Sequence, residues 1–301
     1  MYLVKRNDAL EINGFMVNGE RADIHQTVEA SDWYWTVTAI MGLSTIAFWF
    51  LRWVKSFNRL YTSSMAVATL IAAVAYFSMA SNLGWVPIDV EWHRSDDEVS
   101  GNTRQIFYVR YIMWFLTLPI ILSDVLLLGA VPWTAIVTNV IVSWVWIVSI
   151  LIGTLVSSTY KWGYYTFGVV SLLAIFCTLF IDGFKGAKAV GSDVNRTFLI
   201  SAATIYIVWI CYPVAYGVCE YGNVISPASE SAFYGVLDVL TIPVLGGFLA
   251  FATRNIELSR LGLNHTVAGH TTEKGHTTGA TNGTNGVTNG TTPATEPAQT
   301  A

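Results

Sequence analysis

Charge is what this sequence has least of. Only 12% of its 301 residues are Asp, Glu, Lys or Arg, whereas soluble domains carry about 25%. The deficit is concentrated in long uncharged runs, which argues against an ordinary soluble core and for a chain that crosses a bilayer repeatedly. Cysteine is scarce as well. Cys177, Cys211 and Cys219 all fall in apolar runs without zinc or redox spacing, and an odd number argues against a disulfide framework. The five histidines (His25, His93, His265, His270, His276) lie outside those runs, so a buried histidine metal site is not expected. The first 30 residues carry charges throughout and have no apolar h-region, so no cleavable signal peptide is expected. There is no nucleophile constellation, phosphate loop or basic patch. Neither an enzyme, a metal centre nor a nucleic-acid partner follows from these residues.

Hydrophobic and aromatic residues are abundant: 53% of the chain is hydrophobic, with 12 Trp, 14 Tyr and a mean hydropathy of +0.50. Seven stretches are long and apolar enough to span a membrane. The first is residues 33–51, opened by Trp33, Tyr34 and Trp35 in the manner of an interfacial aromatic belt. The second lies within 60–88 and the third runs from about Gln105 to Leu128. Residues 125–160 supply the end of that helix, a turn at Gly129 to Pro132 and a fourth span. The fifth runs from Lys161 to near Asp182, the sixth over 197–219 with Pro213 inside it, and the seventh from about Ser229 to Thr253. Glu220 to Glu230 reads as a loop. The expected organisation is an extracellular segment at 1–32, a membrane domain at 33–254 and a disordered cytoplasmic tail at 255–301. The tail is rich in Thr, Gly and Asn, with Asn-Gly-Thr triplets at Asn282 and Asn289.

Seven spans place the termini on opposite sides. Loops on the C-terminal side carry nine cations (Arg52, Lys55, Arg59, Lys185, Lys188, Arg196, Arg254, Arg260, Lys274). Those on the N-terminal side carry six (Lys5, Arg6, Arg21, Arg94, Arg104, Lys161). The positive-inside rule therefore puts the C-terminus in the cytoplasm and the N-terminus outside.

Three charges lie deep in the spans: Arg110, Asp124 and Asp238. A charge at membrane depth is costly and should meet a partner or a cavity. Arg110 and Asp124 are fourteen positions apart, about 21 Å along a helix, and so cannot pair with each other. Arg110 and Asp238 are expected to pair across the bundle. Asp124 then serves as a proton relay, bonds a Ser or Thr on a neighbouring helix, or faces the cytoplasmic interface. Trp114, Trp209, Tyr212 and Tyr216 read as core packing on composition alone.

These residues also match a family. Arg110-Tyr111-Ile112-Met113-Trp114-Phe115-Leu116-Thr117-Leu118-Pro119 through Asp124 resembles the third-helix signature RYxDWxxTTPxxxxD of microbial rhodopsins. Trp209-Ile210-Cys211-Tyr212-Pro213 resembles their WxxYP, and Leu237-Asp238-Val239-Leu240-Thr241-Ile242 their LDxxxK. Ser31 to Trp35 and Tyr160 to Tyr164 look like the fungal branch. The resemblance covers about residues 30–255 and implies an all-α, seven-transmembrane-helix bundle of microbial rhodopsin type.

It also implies a lost chromophore. Ile242 stands where the family carries the lysine of its retinal Schiff base, and none of the six lysines lies deep in a span. Met113 stands for the aspartate that accepts the Schiff-base proton, and Leu118 for the second threonine. The inherited pocket would comprise Tyr76, Tyr111, Met113, Trp114, Thr117, Leu118, Trp209, Tyr212, Tyr216 and Ile242. Asp124 matches the cytoplasmic proton donor, and Glu230 falls in the region of the extracellular release group. Losing lysine and aspartate together would keep the pocket neutral, with Arg110 set against Asp238. No covalent retinal cofactor is expected. The pattern is similar to fungal opsin-related proteins, including the membrane heat-shock proteins of yeasts. That likeness implies a plasma-membrane, stress-associated protein, surrounded by membrane lipid, that acts through partners such as the proton ATPase or chaperones, or as a homo-oligomer. The alternatives are a light-driven pump or photosensor, a non-covalent binder of an apolar ligand, and an ion path through Asp124, Arg110 and Glu230.

Overall fold

In the computed structural model, which describes residues 8–262, seven long helices form one bundle. They are α1 (Val28–Leu51), α2 (Arg59–Ala80), α3 (Tyr108–Leu128), α4 (Trp133–Thr154), α5 (Lys161–Val190), α6 (Ser192–Tyr221) and α7 (Pro227–Ala252). With no water in a bilayer core, each span must bond its own backbone, and a helix does so within one segment. Lipid-facing positions such as Leu43, Ile46, Val74, Ile141, Phe167 and Ile207 are apolar and exposed. The bundle interior carries Trp114, Trp146, Trp209 and several tyrosines instead.

Helix ends differ from the expected spans where local chemistry overrides hydropathy. α1 starts at Val28, inside the segment expected to precede the membrane domain, because Thr27 is extended and its Oγ1 accepts from Ala30 N at 3.2 Å. α7 starts at Pro227 behind Ser226, whose hydroxyl accepts from Ser229 N; proline suits a first helical position. α5 continues past Asp182 through a π-type turn at Leu179–Gly183. The α5–α6 turn is Gly191 at φ +155°, which favours glycine, so Asp193 and Arg196 belong to α6 rather than to a loop. α6 extends to Tyr221 through a second π-type turn, Gly217–Tyr221. A third, Leu240–Val244 in α7, contains Pro243, which has no N–H to continue the ladder.

The N-terminal side of the bundle is capped. A helical turn (Ala9–Ile12) and a small hairpin of β1 (Met16–Val17) and β2 (Glu20–Arg21) lead into Ile24. Between α2 and α3, β3 (Val86–Asp89) and β4 (Thr103–Ile106) pair antiparallel, with Ile88 opposite Arg104. Ile24 joins the free edge of β4: its N–H donates to Thr103 O, and Gln105 N donates to its carbonyl, both at 2.9 Å. On the opposite side, the chain after α7 folds back, with Ile256, Leu258 and Leu261 buried. Asn58 Nδ2 donates to the carbonyls of Thr253 and Ile256 at 2.6 and 3.1 Å. Residues 255–262 thus pack on the bundle. The rest of the expected tail, with its triplets at Asn282 and Asn289, lies outside the described residues.

Candidate functional site

The bundle encloses three polar clusters, stacked along its axis. Arg110 lies in the first turn of α3, and its side chain leans back toward the start of that helix, as helical side chains do. Its Nη1 donates to Glu230 Oε1 at 2.8 Å and to Glu220 Oε1 at 3.2 Å; its Nη2 donates to the Tyr34 hydroxyl at 2.7 Å. The guanidinium lies 4.2 Å from the Tyr234 ring centroid. Glu220 also accepts from Tyr111 at 3.0 Å and Tyr234 at 2.7 Å. A second arginine enters from β4: Arg104 donates to Glu230 Oε2 at 2.7 Å, Asn223 Oδ1 at 2.7 Å and Ile225 O at 3.0 Å. Burial opposes the charge on Arg104, but the Glu230 carboxylate beside it more than compensates and raises its proton affinity. Two guanidinium groups thus face two carboxylates, and all four residues are buried.

The second cluster surrounds Asp238. One carboxylate oxygen accepts from Trp114 Nε1 at 2.8 Å and from the Tyr212 hydroxyl at 2.6 Å; the other accepts from the Tyr76 hydroxyl at 2.5 Å. The expected Arg110–Asp238 pair is therefore corrected. Arg110 turns toward the capped end, where Glu220 and Glu230 take its charge, while Asp238 lies eight residues beyond Glu230 on α7 and is held by three neutral donors. The reading of 220–230 as a loop hid Glu220, which the π-type end of α6 carries into the interior.

The third cluster is Asp124 on α3, which accepts from the Ser64 hydroxyl of α2. This is the neighbouring-helix arrangement among those considered for it. Tyr61, one turn before Met65 on α2, has its hydroxyl buried without a hydrogen-bond partner.

The remaining expected pocket residues divide. Met113, Thr117, Leu118 and Ile242 are all buried, and the Thr117 hydroxyl is bonded to Met113 O at 2.9 Å. Trp114 and Tyr212 meet edge to face at 5.1 Å. Trp209 packs instead on Trp146 of α4, at 5.4 Å, and Tyr216 accepts from Trp146 Nε1 at 3.4 Å. Tyr111 meets Trp114 edge to face but sends its hydroxyl to Glu220. Sequence reasoning missed Tyr34, Ser64, Arg104, Trp146, Glu220 and Tyr234. Lys161, counted among the loop cations although it opens the fifth span, is buried against Glu91 at 3.2 Å.

A model of the family described as "Bacteriorhodopsin-like protein" matches residues 29–256. The chain belongs to this family. It is 50% identical over 260 residues to the opsin-like protein carO of Fusarium fujikuroi, covering 86% of this chain and 85% of that one. It is 32% identical over 292 residues to the 30 kDa heat shock protein of Saccharomyces cerevisiae, covering 89% and 84%. Among solved structures, the light-driven proton pump LR (Mac) from Leptosphaeria maculans superposes with a TM-score of 0.71 at 28% identity, covering 77% of this chain and all of that one. The chain is thus an all-helical, integral membrane protein of microbial rhodopsin fold, with fungal opsin-like relatives.

Retinal is the cofactor this family implies, and a Schiff base needs an amine. Among the described residues the lysines are Lys55, Lys161, Lys185 and Lys188. Lys161 begins α5 and is held by Glu91, while the other three lie in the α1–α2 turn and the last turns of α5. Position 242, four residues after Asp238 and fully buried, offers only a hydrocarbon. The residues of this pocket therefore do not fit covalently bound retinal.

Proposed function

We propose that this protein works without a chromophore, as a stress-associated component of the plasma membrane that acts through protein partners, with its N-terminus outside. One observation carries the reading: the buried centre of the bundle presents Ile242 where a retinal-binding member would need an amine. Similarity to a protein named as a heat shock protein supports the stress association. A plasma-membrane proton ATPase and chaperones are the partners that fit such a role. The competing reading, a light-driven pump, is favoured by the solved pumps that share the fold and by Asp124 and Asp238, two buried carboxylates on the bundle interior. It still lacks an attachment point.

The test is the visible spectrum of the purified protein after addition of all-trans retinal, before and after hydroxylamine, with Ile242→Lys alongside. The natural protein should show only the broad band of free retinal. A red-shifted band that hydroxylamine bleaches would reveal a Schiff base on another lysine and overturn the proposal. A coloured Ile242→Lys variant beside a colourless natural protein would leave an open, inherited pocket and direct the search to non-covalent apolar ligands. If both stay colourless, the pocket is filled, as the Trp146–Trp209 contact suggests, and partner capture from the plasma membrane is the next step.

A further inference from the structure

Arg104 has no place in the resemblance, lies between two spans and is nonetheless 2% exposed. Its hairpin brings it over the end of the bundle, where its fork bridges three points: the Glu230 carboxylate on α7, the Asn223 side chain and the Ile225 carbonyl of the α6–α7 turn. Asn223 sits at φ +48° and is itself tied to the hairpin, donating to Trp92 O at 3.2 Å and Val99 O at 3.1 Å. Arg94 adds a bond to Gly222 O at 2.9 Å. The hairpin and the α6–α7 turn are therefore bolted together, with Arg104 at the buried centre.

The same bonds fix the protonation of Glu230. One carboxylate oxygen faces Arg110 and the other faces Arg104; both contacts are guanidinium N–H groups, which donate and cannot accept. A proton on either oxygen would displace an ionic hydrogen bond. The other groups around this site are Glu220 and Cys219 from α6, Tyr34 from α1, Tyr111 from α3 and Tyr234 from α7. Arg104 and Arg110 together balance Glu220 and Glu230, so neutrality at this depth requires no added proton. Without Arg104, one cation would face two carboxylates in a buried site, and one of them would have to take up a proton. A cavity of about 10 Å³ lined by Gln26, Tyr34, Gln105 and Glu230 has room for about one water. That water would meet a carboxylate already committed on both oxygens.

We infer that Arg104 is a latch: its ion pair with Glu230 holds the β3–β4 hairpin on α7 and keeps Glu230 ionised, so that carboxylate exchanges no proton. This is independent of whether a chromophore binds. The test is pH-dependent infrared spectroscopy of the full chain in nanodiscs, reading the protonated-carboxyl band, with Glu230→Gln and Glu220→Gln to assign it. In the natural protein no band that depends on Glu230 should appear from mildly acidic to mildly alkaline pH. Arg104→Gln should create one, and hydrogen exchange at the amides of Ile24 and Gln105 should accelerate by about tenfold or more as the hairpin opens. Arg104→Lys keeps the charge without the fork, and should show the faster exchange without the new band. A titrating, Glu230-dependent band in the natural protein overturns the inference whether or not Arg104→Gln folds. So does an Arg104→Gln protein that changes neither readout.

Discussion

Asp238→Asn should be far milder than Asp238→Leu. The carboxylate is fully buried and accepts from Tyr76, Trp114 and Tyr212. Asparagine keeps one oxygen for the Trp114 and Tyr212 donors, and its amide can donate to the Tyr76 oxygen, so all three contacts survive in neutral form. The expected cost is about 1 kcal/mol or less. Leucine strands all three donors. At the average of about 0.6 kcal/mol found for hydrogen bonds inside membranes the loss is roughly 2 kcal/mol; at about 1–3 kcal/mol for each buried donor left without a partner it is larger. Either figure is a substantial fraction of a typical stability of about 5–15 kcal/mol.

The comparison separates the observed geometry from an Arg110–Asp238 ion pair. If Asp238 balanced Arg110, the asparagine would leave a buried cation without its counter-ion, a loss of about 3–5 kcal/mol, and would be as damaging as leucine. The assay is denaturant unfolding in mixed micelles followed by tryptophan fluorescence, with a double-mutant cycle between Asp238→Asn and Arg110→Gln. Near-additivity is expected, with a coupling below about 0.5 kcal/mol. The matching cycle of Glu230→Gln with Arg110→Gln should show strong coupling. Equal losses for the asparagine and leucine variants, or a large Arg110–Asp238 coupling, would refute this account of the buried charge.

Three further outcomes follow from the same contacts. Met113→Asp should destabilise the fold by several kcal/mol, since it adds a carboxylate at a fully buried position one residue before Trp114; unchanged unfolding in the same micelles would contradict this. Gly235→Ala should cost about 1–3 kcal/mol, because an added Cβ collides with the indole nitrogen of Trp33 and disturbs its 2.9 Å bond to Ser231 O; a shift in melting temperature measures it, and a variant as stable as the natural protein would show that α1 can back away from α7. Glu91→Ala should be worse than Lys161→Met, because the first leaves a buried ammonium without its anion, whereas the second leaves the more exposed Glu91 still accepting from Trp162 Nε1 at 3.2 Å; the reverse order in thermal unfolding would count against the pairing.

The seven spans were legible because a bilayer demands about 20 apolar residues per helix, and that demand is written directly in composition. Their ends were less so. The start of α1 depends on a threonine cap, and the continuation of α5 past Asp182 depends on where a glycine permits a turn. Buried charges were recognisable only where they stood within uncharged sequence. Glu220 and Arg104 stood among polar neighbours and looked like loop residues, yet both are interior. Hydropathy reports the company a residue keeps along the chain. Burial here is decided by a hairpin register that puts Arg104 opposite Ile88 and by Ile24 closing the strand edge. The choice of partner for Arg110 turned on the lean of one side chain, which spacing alone does not encode.

The stacking of the three clusters bears on whether ions pass. Asp238 is tied to Trp114, and Asp124 lies ten residues further along the same helix, roughly 15 Å away along the axis. The buried α3 side chains between them are Thr117, whose hydroxyl is spent on Met113 O, then Leu118, Pro119, Ile121 and Leu122. Ile242, one turn beyond Asp238, and Met113, beside Trp114, are buried as well. A proton moving between the clusters would have to cross this apolar stretch without a titratable group, and a charge in such surroundings is costly. Neither Ile242 nor Met113 offers a group that could carry a proton across it. A single titratable group should therefore not open conduction: Ile242→Lys and Met113→Asp, singly, should leave proton flux into liposomes at the level of the natural protein. A passive flux that rises with either single change would mean that water crosses the stretch and that the hydrocarbon at positions 113 and 242 is not the barrier.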